Sequence, residues 1–229
     1  MEDELKIEGR NSVVEALKSG VSIQKIQVDK RLTPRYSDII AYARQMGIPV
    51  QEVPSLKAKQ GILAYTFPVE PKDVEYFFDK NFVVLADGIE DPHNLGAIMR
   101  TAECAGVDGI VIPKHRSAII SEGLISSSAG AVFHLPFTVV TNTAQAVDRF
   151  LDRGFFVLGA DPGGEPFFRV EFRFPLLLII GGEDKGLRPI MKRRCDKLIG
   201  IPMEGKITSL NTSVSAGIII YEIKSRVWR

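Results

Sequence analysis

Four apolar runs constrain this chain more than anything else in it: FVVLA from Phe82, GIVI from Gly109, FFVLGA from Phe155 and LLLII from Leu176. None of them alternates with polar residues. A strand with one wet face would alternate, so these runs belong to strands covered on both faces, the habit of a parallel sheet. The stretches between them carry helical spacing over 94–105, 121–128 and 143–153. HLPFTVV and KLIGIPM read as further strands, and residues 210–227 as a terminal helix. Strands alternating with helices predict an α/β fold with helices on both faces of the sheet.

The first part of the chain follows a different rhythm. GRNSVVEALKSG has Val13, Val14 and Leu17 at helical spacing and is closed by Gly20. IQKIQVD, IPVQEV and GILAYTF read as strands, 34–46 as a helix and 56–59 as a short one. Pro68 and Pro71 then punctuate the chain. The expected division is a small α/β domain over 1–70, a linker over 71–80 and a larger domain over 81–229.

Composition closes several functional classes. With 45% apolar and 25% charged residues the chain reads as soluble and globular. No apolar run approaches the roughly 20 residues of a membrane span, and Met1 opens onto EDELKIEG, unlike a signal peptide. A cytoplasmic protein without a membrane partner is expected. Cys104 and Cys195 lie far apart, without metal spacing, and the three histidines are scattered, so reduced thiols and no metal are expected. The net charge of +1 gives no global attraction for nucleic acid. Local basic groups at Lys114–His115–Arg116, Lys185 with Arg188, and Lys192–Arg193–Arg194 permit an RNA partner without demanding one.

Chemistry is concentrated where apolar strands run into glycine-rich polar turns. LLLIIGGEDKGL and IPMEGKITSLNTSVSAGIII are two such places, and ADGIEDPHNLGAIMRTAECAG is a third. Turns of that composition at strand ends let backbone groups approach a small ligand. The common nucleotide and hydrolase signatures are missing: there is no G-x-G-x-x-G, no G-x-x-x-x-G-K-[ST] and no G-x-S-x-G.

Asp91 and Asn94 with Leu95–Gly96 and Arg100, then Gly182–Glu183 with Gly186–Leu187, then Ser209–Leu210–Asn211 with Ser213, form an ordered set. That set resembles the three motifs of the SpoU/TrmH RNA 2′-O-methyltransferases, over the whole second part. GRNSVVEAL and QGILA are similar to landmarks of the family's small substrate-binding domain, itself similar to ribosomal protein L30e. The resemblance implies a C-terminal α/β knot (the trefoil of SPOUT proteins), an S-adenosylmethionine site in it, and a homodimer with the active site at the interface. Carried onto this chain, the cofactor contacts would be Leu158, Gly159, Gly181, Gly182, Ile201, Met203 and Leu210. DPHNLGAIMRTAE followed by VIPK looks most like the branch that methylates a guanosine of 23S rRNA; a tRNA guanosine methyltransferase is the nearest alternative.

The catalytic candidates are Asn94, Arg100, Glu183, Ser209 and Asn211. Methyl transfer from a sulfonium needs alignment of a ribose 2′-OH more than it needs strong acid–base chemistry. Arg100 could grip the phosphate beside the target ribose or the hydroxyl itself. In the resembling family this arginine is assigned as a base, yet a guanidinium rarely gives up its proton. Asn94 offers a donor and an acceptor at a helix start, where it could also cap. Glu183 could fix Asn94 or the loop of Asn211. Ser209 and Asn211 open the terminal helix, whose free N–H groups favour a phosphate; Ser209 could equally cap. Ser213 lies in the first turn, and His93 reads more readily as loop packing than as a base. Thr212 departs from the family, which more often has a small or β-branched apolar residue there, and the segment before Gln60–Gly61 looks shorter. Two other classes compete: a catalytically silent RNA-binding knot protein, and a dehydrogenase-like nucleotide binder, which the missing early glycine loop disfavours.

Overall fold

The computed structural model describes residues 4–114, 120–182 and 186–227. Its first sheet is built from β1 (Leu5–Glu8), β2 (Ile23–Asp29), β3 (Val50–Val53) and β4 (Ile62–Thr66), in the order β1-β4-β2-β3. β4 runs antiparallel to both β1 and β2, and β3 parallel to β2. Helices α1 (Arg10–Ser19) and α2 (Ser37–Gln45) cover it through Val13, Ala16 and Leu17, and through Ile39, Ile40 and Ala43.

Two local readings change. The helix expected over 34–46 starts as a 3-10 segment, Lys30–Tyr36, and turns α-helical only at Ser37. Pro34 sits inside that segment and can donate no backbone hydrogen bond. Residues 56–59 form no α-helix; a 3-10 turn covers Lys59–Gly61, with Gln60 at φ 59° and Gly61 at φ 67°. Glycine suits position 61 because its φ of 67° lies in the left-handed region that L side chains rarely adopt.

The second sheet has six strands, all in parallel pairings, in the order β10-β8-β9-β5-β6-β7. They are β5 (Phe82–Asp87), β6 (Gly109–Pro113), β7 (Phe137–Val140), β8 (Phe156–Pro166), β9 (Leu176–Gly181) and β10 (Lys197–Gly200). The unbroken apolar runs find their explanation in the two faces. Phe82, Val84, Leu176, Leu178 and Ile180 pack to one side. Val83, Leu85, Leu177 and Ile179 pack to the other. The first side is closed by α3 (Pro92–Cys104), α4 (Glu122–Ser127) and α7 (Thr212–Ser225), which contribute Ile98, Leu124, Ile219 and Ile223. The second is closed by α5 (Thr143–Asp152) and the short α6 (Pro189–Lys192), through Val147, Phe150 and Met191.

The chain leaves β5 outward to β6 and β7, then crosses to place β8, β9 and β10 on the opposite side of β5. Such a reversal opens a crevice at the C-terminal strand ends. At that end β8 bulges away from β10: Leu198 pairs with Gly159 but Ile199 with Glu165, so residues 160–164 have no partner on β10, while Ala160 stays paired with Ile180 of β9. The bulge wraps the end of β10 closely. A Cβ at Gly164 would lie 2.5 Å from the Ile199 backbone, and one at Gly200 would lie 2.9 Å from the Asp161 carbonyl oxygen. The two parts meet where α4 lies against β1 and the turn Ala131–Phe133 lies against α1; there Lys59 Nζ donates to Ser126 Oγ at 2.9 Å and His134 Nε2 lies 3.0 Å from Glu15 Oε2.

Candidate active site

A cavity of about 530 Å³ opens at the C-terminal ends of β8, β9 and β10. It is lined by Ala160 and Asp161 from the bulge, Ile180 and Gly181 of β9 with Gly182 and Gly186 beyond it, and Ile199 and Gly200 of β10 with Ile201 after it. Met203, Thr208, Ser209 and Leu210 close one side, and Thr212, Ser215 and Ile219 of α7 form the floor.

The glycines there answer to other backbone. A Cβ on Gly181 would lie 2.4 Å from the Gly186 carbonyl carbon, and one on Gly182 would lie 2.3 Å from the Gly88 carbonyl oxygen. No L side chain fits at either place, so the β5, β9 and 186–187 segments touch main chain to main chain.

Of the seven residues expected at the cofactor, Gly181, Gly182, Ile201, Met203 and Leu210 line this cavity. Leu158 and Gly159 do not. Leu158 is fully buried against Phe167, Val170 and Ile223 beneath the sheet. At Gly159 the place of a Cβ is taken by Cys195 Sγ and Leu187 Cδ1, each 2.6 Å away. β8 reaches the cavity one and two residues later, at Ala160 and Asp161, where it departs from its pairing with β10. Burial also pushes the Cys195 thiol up to about 12, with Asp196 and Asp161 adding to the effect.

Asn94 and Asn211, 117 residues apart, are brought together: Asn211 Nδ2 donates to Asn94 Oδ1 at 3.0 Å. Asn94 is the third residue of α3 and does not cap it. Asp91 does, accepting from the His93 N–H at 2.9 Å. Asn211 caps α7, its Oδ1 accepting from Ser213 N at 2.9 Å, Val214 N at 3.3 Å and Ser213 Oγ at 2.6 Å. One amide therefore satisfies a helix terminus and ties it to a second helix. Ser209 lies in the cavity wall, ahead of the cap. Arg100 is exposed on α3, six residues or about 9 Å beyond Asn94, and is not part of the cavity wall. His93 is exposed. Glu183 lies outside the described residues; on either side of it, Gly182 and Gly186 form an antiparallel bridge.

The sequence reading missed Asp161 and Lys192. They face each other in the cavity wall, with Lys192 Nζ 2.5 Å from Asp161 Oδ2. Nothing local marks them, since the contact joins a strand bulge to α6. Among the described residues no group of three His, Cys, Asp or Glu could hold a metal ion, and no helix is long and apolar enough to cross a membrane.

Residues 81–221 match the model of the SpoU rRNA methylase family. The chain belongs to that family. Residues 6–71 match a second model, the substrate-binding part of RNA 2′-O-ribose methyltransferases, so both parts of this SpoU enzyme have counterparts. A Staphylococcus haemolyticus protein assigned to the TrmH family of tRNA/rRNA methyltransferases is 38% identical over 97% of this chain and 96% of its own. Bacillus subtilis YacO, assigned likewise, is 38% identical over 94% and 93%. The fold is also that of the SpoU methyltransferase AviRb of Streptomyces viridochromogenes, solved with AdoMet, at TM-score 0.81 and 24% identity over 98% of this chain and 91% of that one. The parallel sheet and the likeness in fold to SpoU methyltransferases are consistent with the SPOUT knot.

Proposed function

We propose that this SpoU enzyme methylates the ribose 2′-OH of a guanosine in 23S rRNA, with S-adenosylmethionine in the cavity at the ends of β8, β9 and β10. The observation that carries the reading is the Asn94–Asn211 pair at 3.0 Å, which joins the first and third motifs where Ser209 and Leu210 meet the cavity. The cavity suits the cofactor. Its volume falls within the ~300–1,000 Å³ of small-molecule sites. Ile180, Ile201, Met203 and Leu210 give it apolar walls, and Asp161, Lys192, Thr208 and Ser209 give it polar ones. Bound S-adenosylmethionine supplies a methyl group on a good leaving group, which leaves alignment of the acceptor to the protein.

The chain's own residues divide that task. Asn94 and Asn211 hold the first turns of α3 and α7 in register. Ser209 offers a hydroxyl to the entering ribose. Arg100, always charged, grips the adjoining phosphate. Residues 1–70 form the RNA-binding domain, joined by 71–80 to the methyltransferase domain. The enzyme works as a homodimer: Ile207, Leu210, Val214, Ile218 and Tyr221 expose an apolar strip along α7 and the segment before it, beside the cavity. Arg100, absent from this chain's cavity wall, then completes a site at the interface.

Labelled S-adenosylmethionine, unmodified total rRNA and tRNA, and digestion to nucleosides provide the test. Label in 2′-O-methylguanosine of the large rRNA is the expected result. Label confined to tRNA would keep the chemistry and move the substrate; label in base methyls would overturn the assignment.

A further inference from the structure

Arg188 stands directly after the Gly186–Leu187 turn and plays no part in the motifs. Its guanidinium reaches back 101 residues to Asp87, the last residue of β5. Nε donates to Asp87 Oδ2 at 2.9 Å and Nη2 to Oδ1 at 2.7 Å. Thr143, the first residue of α5, closes a ring: its hydroxyl donates to Asp87 Oδ1 at 2.9 Å and accepts from Arg188 Nη2 at 2.6 Å. Asp87 and Thr143 are buried, at 3% and 4% exposure, while half of the Arg188 side chain faces solvent. An isolated surface pair would contribute little. A bidentate pair on a buried carboxylate fixes geometry.

The geometry it fixes belongs to the cavity. Asp87 precedes Gly88, whose carbonyl oxygen fills the place of a side chain on Gly182; Gly186 fills the place of one on Gly181. Segments 87–88, 181–182 and 186–188 are therefore wedged together, and Arg188 ties the third to the first. Gly181, Gly182 and Gly186 line the cavity, but Arg188, Asp87 and Thr143 do not. At the other end of α6, Lys192 holds Asp161 in the opposite part of the wall. We infer that Arg188, through Asp87 and Thr143, is a positioning residue that sets the glycine wall of the cofactor cavity, and so governs affinity for S-adenosylmethionine without touching it. This rests on reading the cavity as the S-adenosylmethionine site.

Calorimetric titration of the full-length protein with S-adenosylmethionine tests it, alongside thermal melting and separate KM values for cofactor and RNA. Arg188→Gln leaves Asp87 buried without its counter-ion, so that variant mixes instability with mispositioning. The double variant Asp87→Asn, Arg188→Gln removes the stray charge and recovers melting temperature. Its cofactor Kd stays raised by about tenfold or more, its cofactor KM rises with it, and its RNA KM is unchanged. Thr143→Val, which removes one hydroxyl from the ring, shifts cofactor Kd in the same direction by less. A double variant that binds cofactor as wild type does, or that loses RNA and cofactor affinity alike, overturns the inference. Wild-type protein that fails to bind S-adenosylmethionine overturns the reading of the cavity itself, and the inference with it.

Discussion

Replacing Asn211 separates two functions that its one side chain combines. Its Oδ1 caps α7 through Ser213 N and Val214 N, while its Nδ2 donates to Asn94. Loss of an N-cap costs about 1 kcal/mol, and loss of an exposed side-chain hydrogen bond about 0.5–1 kcal/mol. Asn211→Ala loses both, about 1.5–2 kcal/mol together. At roughly 2–4 °C per kcal/mol for a chain of this size, Tm should fall by about 3–8 °C. Asn211→Asp keeps the acceptor and sets a negative charge at the positive end of α7, but it has no N–H for Asn94. Its Tm should therefore stay close to wild type. Both variants should lose methyl transfer, since both free α3 from α7 at the cavity. Melting curves and single-turnover methylation of rRNA, run on the three proteins, give the comparison. If the Asp variant melts as low as the Ala variant, the cap does not stabilise α7 as reasoned. If the Asp variant methylates at the wild-type rate, the tie to Asn94 has no part in catalysis.

Val214→Glu places a charge in the middle of the exposed α7 strip and should convert a dimer to a monomer in sedimentation, with methylation lost; a fully active wild-type monomer would sink the dimer reading. Asp29 gives a pH prediction. The Arg31 guanidinium, then the Leu56 and Arg31 N–H groups, hold its carboxyl well below the usual range. A depressed carboxyl stabilises the fold above the unfolded value, roughly pH 4, and that contribution is lost as pH falls below it. Asp29→Asn should thus lower stability at neutral pH and narrow its gap to wild type on acidification; a gap constant down to pH 2 would contradict the assignment.

The parts of the fold legible in the sequence are those whose burial is complete. β5, β6 and β9 announce themselves because Val83 and Val84, or Leu177 and Leu178, are covered on opposite faces. β1 passed unnoticed: four residues, LKIE, at an edge of the first sheet offer too short an alternation. The bulge at 160–164 moved the cavity edge from Leu158 and Gly159 to Ala160 and Asp161, and a bulge leaves no hydrophobic period to read. The motif residues could be found from the sequence, but not their mutual contacts. Asn94 with Asn211, and Asp87 with Arg188, are separated by more than a hundred residues, and only the strand crossing brings them together.

The glycine wall suggests how recognition is divided between donor and acceptor. Side chains at Gly181, Gly182 and Gly200 are excluded by the chain's own backbone, so this part of the cavity wall is set by the path of the main chain. If the methyl donor binds there as proposed, a wall set by close-packed main chain needs little ordering on binding, which favours affinity. In the proposed reading, the acceptor is met by side chains outside the wedge: Asn94 with Asn211, Ser209 and the exposed Arg100. Substitutions along this rim can therefore change which ribose is presented while leaving the donor site intact. Substitutions in the wedge, or in the Arg188 ring behind it, should act on the donor first and on the acceptor only through it.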